Sequence, residues 1–169
     1  RCSRDWSSDV CSSDLSLDDK KGFEGKVGVS GGISDFTVEG DEAFLPVTRS
    51  TNVACFGSFT HRLSDAWKLR SGFRTESDKV SAQAWAHDGI QLTHPADTRT
   101  FAPLALSAGL VRELPGSWEA SATISRTERA PNMQELYADG PHLGTNAYEV
   151  GSRSLGTEKA VGLELELAK

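Results

Sequence analysis

The pattern that most limits this chain is a two-residue alternation that keeps returning. In residues 118–125, Trp118, Ala120, Ala122 and Ile124 share one face, and Glu119, Ser121, Thr123 and Ser125 share the other. A period of two is that of a β-strand whose two faces meet different surroundings. A soluble sheet does this with one face on a core and one in water. A transmembrane barrel strand does it with its apolar face in lipid and its polar face in the lumen. This stretch alone leaves both open.

The same alternation marks five further segments. Val27, Val29, Gly31 and Ile33 fall on one face of 22–34, and 51–62 is β-branched and aromatic. In 67–80, Trp67, Leu69, Ser71 and Phe73 oppose Lys68, Arg70, Gly72 and Arg74. In 101–112, Ala102, Leu104, Leu106, Ala108 and Leu110 align, and Pro103, which lacks a ladder donor, belongs near the strand start or at a bulge. The last segment sets Val161, Leu163, Leu165 and Leu167 against Glu158, Gly162, Glu164 and Glu166. Its Leu, Glu, Lys and Ala are good helix formers, but the run 162–168 fits period two far better than 3.6. The chain therefore reads as an all-β, antiparallel up-and-down meander of about six strands.

Connections alternate in length. Residues 63–66 and the Pro-Gly turn at 113–117 are short, whereas 35–50, 87–99 and 130–154 are long. Phe36, Phe44 and Leu45 in the first long loop are apolar enough to fold back onto the sheet. Short turns on one side and long loops on the other characterise outer-membrane barrels, whereas a β-sandwich usually mixes them. Trp67 and Trp118 each directly follow a short turn. Either could be a core residue, but the equivalent placement suits an aromatic girdle at head-group level.

A formal net charge of -6 and a pI near 5.2 exclude the basic stripe of a nucleic-acid binder. Mean hydropathy is -0.39, and no run approaches the ~18 apolar residues of a membrane helix. Barrel strands are half polar, so neither value excludes them.

Residues 4–15 have no useful period and are dominated by Ser and Asp, as in a disordered tail. The string also resembles the translation of a common short-read sequencing adapter. Residues 1–15 are therefore set aside as an adapter-like scar, and 16–169 are treated as the folding unit. Removing the scar leaves a charge of -5 and Cys55 alone, expected as a small packed side chain rather than a nucleophile. The first residue is not Met and the last residues interrupt an alternating run, so the chain is expected to be a fragment.

Residues 125–142 carry a motif: Ser125, Arg126, Glu128, Arg129, Ala130, Pro131, then Glu135, Leu136, Tyr137, then Gly140, Pro141, His142. Tyr148, Glu149, Val150, Gly151, Leu155 and Glu158 continue it. This resembles the late barrel region of TonB-dependent outer-membrane receptors, and 40–46 is similar to a loop of that family. Residues 152–159 depart from the Asp-Pro or Asp-Ala usual in relatives, which bears on loop conformation. The resemblance implies an open fragment of a transmembrane barrel of about 22 strands with a plug in its lumen. It also implies outer-membrane lipid around the barrel in a Gram-negative bacterium. A small-molecule, metal-chelate or siderophore ligand, and a TonB energy-coupling complex acting through a plug outside this chain, complete the expected partners. A soluble secreted β-sheet binding module is the alternative, and it would bury Leu104, Leu106, Leu163 and Leu165 under a second layer.

No nucleophile–base set, phosphate loop, H-E-x-x-H or C-x-x-C occurs, so neither an enzyme nor a cofactor is expected. Within the motif, Glu135, Tyr137 and His142 are candidate substrate-binding residues of the outer loops. The resemblance implies that some relatives with the Gly-Pro-His loop handle zinc or metal chelates, which makes His87, His94 and His142, with Asp88 and Asp97 nearby, candidates for metal capture. Solvated loop histidines are the plainer reading. Arg126, Glu128 and Arg129 are expected to form an ion-pair cluster fixing the loop, and Arg70 and Arg74 to face the lumen.

Overall fold

The computed structural model describes residues 3–19, 22–39, 43–86, 94–142 and 146–169. Its main sheet is an antiparallel meander of β1 (Ser3–Asp19), β2 (Phe23–Glu39), β3 (Thr48–Arg62), β4 (Trp67–Ala82), β6 (Leu104–Leu114), β7 (Trp118–Arg129) and β10 (Glu158–Ala168), with β5 (Asp97–Phe101) beside the far end of β4. A short helix α1 (Met133–Tyr137) and a hairpin of β8 (Asp139–His142) and β9 (Ala147–Val150) lie between β7 and β10. The sheet is open, with β1 and β10 at its edges.

Alternation and register agree across the sheet. Rows of partners run Val27–Gly57–Phe73–Leu106 and Gly25–Phe59–Ser71–Ala108–Ile124–Leu163 on one face. Below them Leu69, Leu110, Ala122 and Leu165 form another row. Among the described residues no second layer covers this face: Leu163 and Leu165 are 72% and 73% exposed, and Leu104 and Leu106 are exposed as well. The apolar face ends in Trp67, Arg112 and Trp118 at the short turns. At the opposite end it is closed by the Asp35–Arg49 pair (2.6 Å) and by Arg126, Glu128 and Lys159. Charged groups thus border the apolar band on both sides.

Three phenylalanines on this face stack in a diagonal ladder, Phe23–Phe59 at 5.8 Å and Phe59–Phe73 at 6.3 Å between ring centroids. Two of the rings lie over glycine backbone: a Cβ on Gly25 would come within 2.7 Å of Phe59, and one on Gly57 within 2.6 Å of Phe73. Glycine in a strand interior weakens it but admits such close approach.

The polar face carries Lys68–Glu113 (2.5 Å), Arg70–Glu119 (3.2 Å) and Arg74–Glu76 ion pairs, and Arg74 also lies over the Phe56 ring. The core sits at its long-loop end. There Val38, Val80, Ala82 and Phe101, at the strand ends, meet Phe44 and Leu45 from the β2–β3 loop and Leu136, Tyr137 and Ala138 from α1. The backward fold expected of Phe44 and Leu45 is what closes this core.

The structure differs from the sequence reading at several points. β2 runs on to Glu39 and β3 begins at Thr48, so the expected 35–50 loop is shorter. Phe36 and Val38 continue the period of two there, and burial beneath the loop cluster rewards the extension. Pro103 lies between β5 and β6 without shifting the register, since Thr75↔Leu104 and Asp78↔Phe101 leave two residues on each strand. Glu76 N–H donates to the Pro103 carbonyl (3.0 Å), so one strand is interrupted only where proline has no donor. Residues 4–15, read as a disordered tail, fall within the edge strand β1 (Ser3–Asp19), laid along β2. Backbone hydrogen bonding to an open edge asks little of side chains. Cys55, expected as a packed side chain, is exposed on the apolar face between Val29 and Thr75.

Candidate ligand-facing site at the long-loop end

The site residues follow from how β7 stops. After Arg129 come Ala130, Pro131 and Asn132, and Asn132 is the N-cap of α1. Its side chain accepts from Glu135 N–H (2.8 Å), while the Glu135 carboxylate accepts from Asn132 N–H (2.8 Å), a capping box. Arg129 adds a bidentate contact to Glu135 (2.8 and 2.9 Å) and reaches Glu158 on β10 (2.7 Å). One guanidinium thus joins the end of β7, α1 and the start of β10. Arg129 and the Asn132 backbone hold the Glu135 carboxyl down at about 2.

The other face of α1 is buried. Tyr137 is 4% exposed, its hydroxyl donates to Asp97 (3.3 Å), and Arg153 lies over its ring. Burial, with the Asp97 carboxylate beside it, pushes the phenol up to about 12. Gly151 closes the far side: its N–H donates to the Ala138 carbonyl (2.6 Å), and a Cβ there would lie 2.7 Å from Tyr137 N. Gly140, at φ +158, is pressed against Phe44.

The β8–β9 hairpin is held by two imidazole–carboxylate contacts. His94 Nε2 is 2.7 Å from Asp139 Oδ2 with its ring stacked on Trp85, and His142 Nδ1 is 2.6 Å from Glu149 Oε1 with its ring stacked on Phe44. Tyr148 donates to Asp139 (2.9 Å), and Gln134 of α1 donates to Glu149. His94 and His142, both candidates from sequence, therefore each stand beside a carboxylate on the hairpin, while His87 lies outside the described residues. Among the described residues no group of three or more His, Cys, Asp or Glu is placed to hold a metal. Glu135 and Tyr137 are brought to the same helix, one exposed to the Arg129 network and the other turned into the core.

Sequence reasoning did not single out Asp139, Glu149 or Asp97 as the partners of these groups, or the concavity beneath α1. That concavity, about 490 Å3, lies between the polar face and the loop after β7. Ser50, Asn52, Glu76, Asp78, Asn132 and Met133 are among the residues lining it. The Asn-x-x-Glu spacing at 132–135 was a readable sign of α1. Nothing local in the sequence shows which strands share the cavity, because their pairing is long-range.

Compared with known protein families, residues 8–167 match the model described as TonB dependent receptor-like, beta-barrel. That match spans nearly the whole chain and agrees with an open antiparallel sheet that is apolar on one face and polar on the other. The chain belongs to the β-barrel family of TonB-dependent receptors, the outer-membrane receptors of Gram-negative bacteria.

Proposed function

We propose that this chain is barrel wall of a receptor that imports a metal ion, metal chelate or siderophore with energy supplied by TonB through a plug in the lumen. The observation that carries the reading is the uncovered apolar band, bordered by tryptophans at the short turns and by charges at the long loops. Along β2 the band runs from Phe23 to Ile33. Ten residue steps make roughly 33 Å at ~3.3 Å each. A strand tilt of ~40° reduces that to about 25 Å of height, the thickness of an outer-membrane apolar belt. A soluble module would cover Leu104, Leu106, Leu163 and Leu165, and here all four are exposed.

Capture is assigned to the long-loop end, with Glu135, Tyr137 and His142 as substrate-binding residues and His87, His94 and His142 as metal-capturing ones. Imidazole beside carboxylate is a donor set that suits borderline divalent ions. In this reading the hairpin gives up its His94–Asp139 and His142–Glu149 contacts when ligand arrives.

Uptake of zinc, a ferric chelate and a siderophore should be measured in cells with and without the receptor, and with TonB removed. Uptake that needs both proteins supports the proposal, and uptake indifferent to TonB defeats it. Metal titration of the full-length receptor with His87, His94 and His142 changed to Ala tests the capture residues, and an unchanged affinity rejects them.

A further inference from the structure

The short-turn end of the apolar face differs from the polar face at the same level. On the polar face Lys68 pairs with Glu113 and Arg70 with Glu119. On the apolar face the cations have rings instead. The Arg112 guanidinium lies 5.2 Å over the Trp67 ring, and the Lys169 ammonium 5.5 Å over the Trp118 ring. Trp67 pairs with Arg112 across β4 and β6, and Trp118 pairs with Leu114 across β6 and β7, so the two cation–ring units are neighbours on one surface. Among the described residues no carboxylate lies within ion-pair distance of Arg112 or Lys169. Both cations are exposed, as is Trp118.

A guanidinium lying against a ring keeps its N–H donors pointing outward in its own plane, the geometry that takes a phosphate oxygen. The ring holds the cation and supplies no competing anion. Neither indole N–H has a protein acceptor among the described residues, which adds two donors at the same level. Immediately above, Leu110, Ala122 and Leu165 begin the apolar band, where acyl chains would lie. A ligand matched to this surface has a phosphodiester at one end and hydrocarbon at the other.

The geometry points to a binding site for an anionic phospholipid of the periplasmic leaflet, built by Arg112 and Lys169 on Trp67 and Trp118. It rests on the outer-membrane reading, since short turns of such barrels face the periplasm. The site is an addition to ligand capture: it lies at the opposite end of the strands from α1 and the hairpin. Its two cations select a headgroup with net negative charge over a zwitterionic one.

The test uses the full-length receptor purified in detergent and exposed to phosphatidylglycerol or phosphatidylcholine, with retained lipid counted by native mass spectrometry. Wild type is expected to retain phosphatidylglycerol preferentially. Removing charge should weaken that preference roughly fivefold for each cation in R112Q and K169Q, while the R112K/K169R double variant keeps it. Heat-modifiable migration on gels checks that each variant is folded. An equal preference in wild type and R112Q/K169Q overturns the assignment, as does an absence of preference in wild type. Excess inorganic phosphate should leave the lipid bound; displacement by it would overturn a lipid site in favour of one for free phosphate. A receptor absent from the outer-membrane fraction altogether would defeat the membrane reading itself, a result distinct from any of these.

Discussion

Arg129 grips Glu135 through both carboxylate oxygens, at 2.8 and 2.9 Å, and thereby ties the end of a membrane-facing strand to the helix that roofs the polar face. The same carboxylate caps its own helix through Asn132. A ligand that used this carboxylate would therefore have to loosen α1.

Changing Glu135 to Ala removes the cap acceptor and the Arg129 partner together. Loss of a cap costs about 1 kcal/mol, and the exposed ion pair adds little. Hydrogen exchange at the α1 amides should rise roughly fivefold, with the exchange of β3 and β4 unchanged. Equal protection in both proteins would count against the fastening role.

Acid titration should reveal the same contact. The Glu135 carboxyl is held at about 2 against an ordinary 4.5. A depressed folded value means its stabilisation is complete above 4.5 and disappears as pH falls through about 2. The protection of the α1 amides relative to unstructured peptide at the same pH should therefore fall across that window in wild type and much less in Glu135→Gln. At the alkaline side Tyr137 runs the other way. Its folded value is raised from 10.0 to about 12, so its contribution is intact below 10.0 and is lost as pH climbs through about 12. Tyrosinate absorbance should show a late-titrating phenol that is missing from Tyr137→Phe.

Gly151 has backbone nitrogens of Tyr137 and Ala138 within 2.8 Å of where a Cβ would stand. Gly151→Ala should force α1 and the hairpin apart at a cost of about 1–3 kcal/mol. Gly156, with nothing within 4 Å, should accept alanine without effect. Thermal melting of the two variants side by side separates them.

The two faces of β10 should differ sharply in tolerance. Leu163→Arg places a charge in the apolar band and should cost about 2–4 kcal/mol near mid-membrane, seen as a lower inserted fraction of the receptor in vesicles. Glu164→Arg, one residue away on the polar face, should insert like wild type.

How far sequence reached into this fold depends on how local the signal was. Alternation needs only a strand's own residues, so the faces of β4, β6, β7 and β10 were legible from Trp67, Leu106, Ile124 and Leu163 onward. So were the short turns and the return of Phe44 and Leu45. The β8–β9 hairpin was not, because its contacts to His94 and Phe44 join loops far apart in the chain. The candidate residues Glu135, Tyr137, His94 and His142 were identifiable as types, and Arg129, six residues from Glu135, was legible as an ion-pairing group; Asp97 and Asp139, as partners of Tyr137 and His94, depended on that long-range folding.

The first strand raises a separate prediction. In the register of β1, Ser13 stands beside Val29 of the apolar face. We propose a foreign origin for residues 1–15, which accounts for a hydroxyl at that place, although the family match begins at residue 8. Sequencing the gene directly from genomic DNA should return different residues there, with an apolar one at position 13. Recovery of the same residues would make Ser13 a native member of the band and reject the proposal.

The phenylalanine ladder has a mechanical consequence. Side chains standing upright on a sheet present separate knobs with gaps that lipid tails must fill. Phe59 and Phe73 instead lie over Gly25 and Gly57, and Phe23 stacks on Phe59, so the three rings make one continuous tile. Rings wedged against backbone have little rotamer freedom left to lose when hydrocarbon orders beside them. The sheet therefore meets its surroundings here with stiff, flat rings, where Leu163 and Leu165 present free-standing branched side chains.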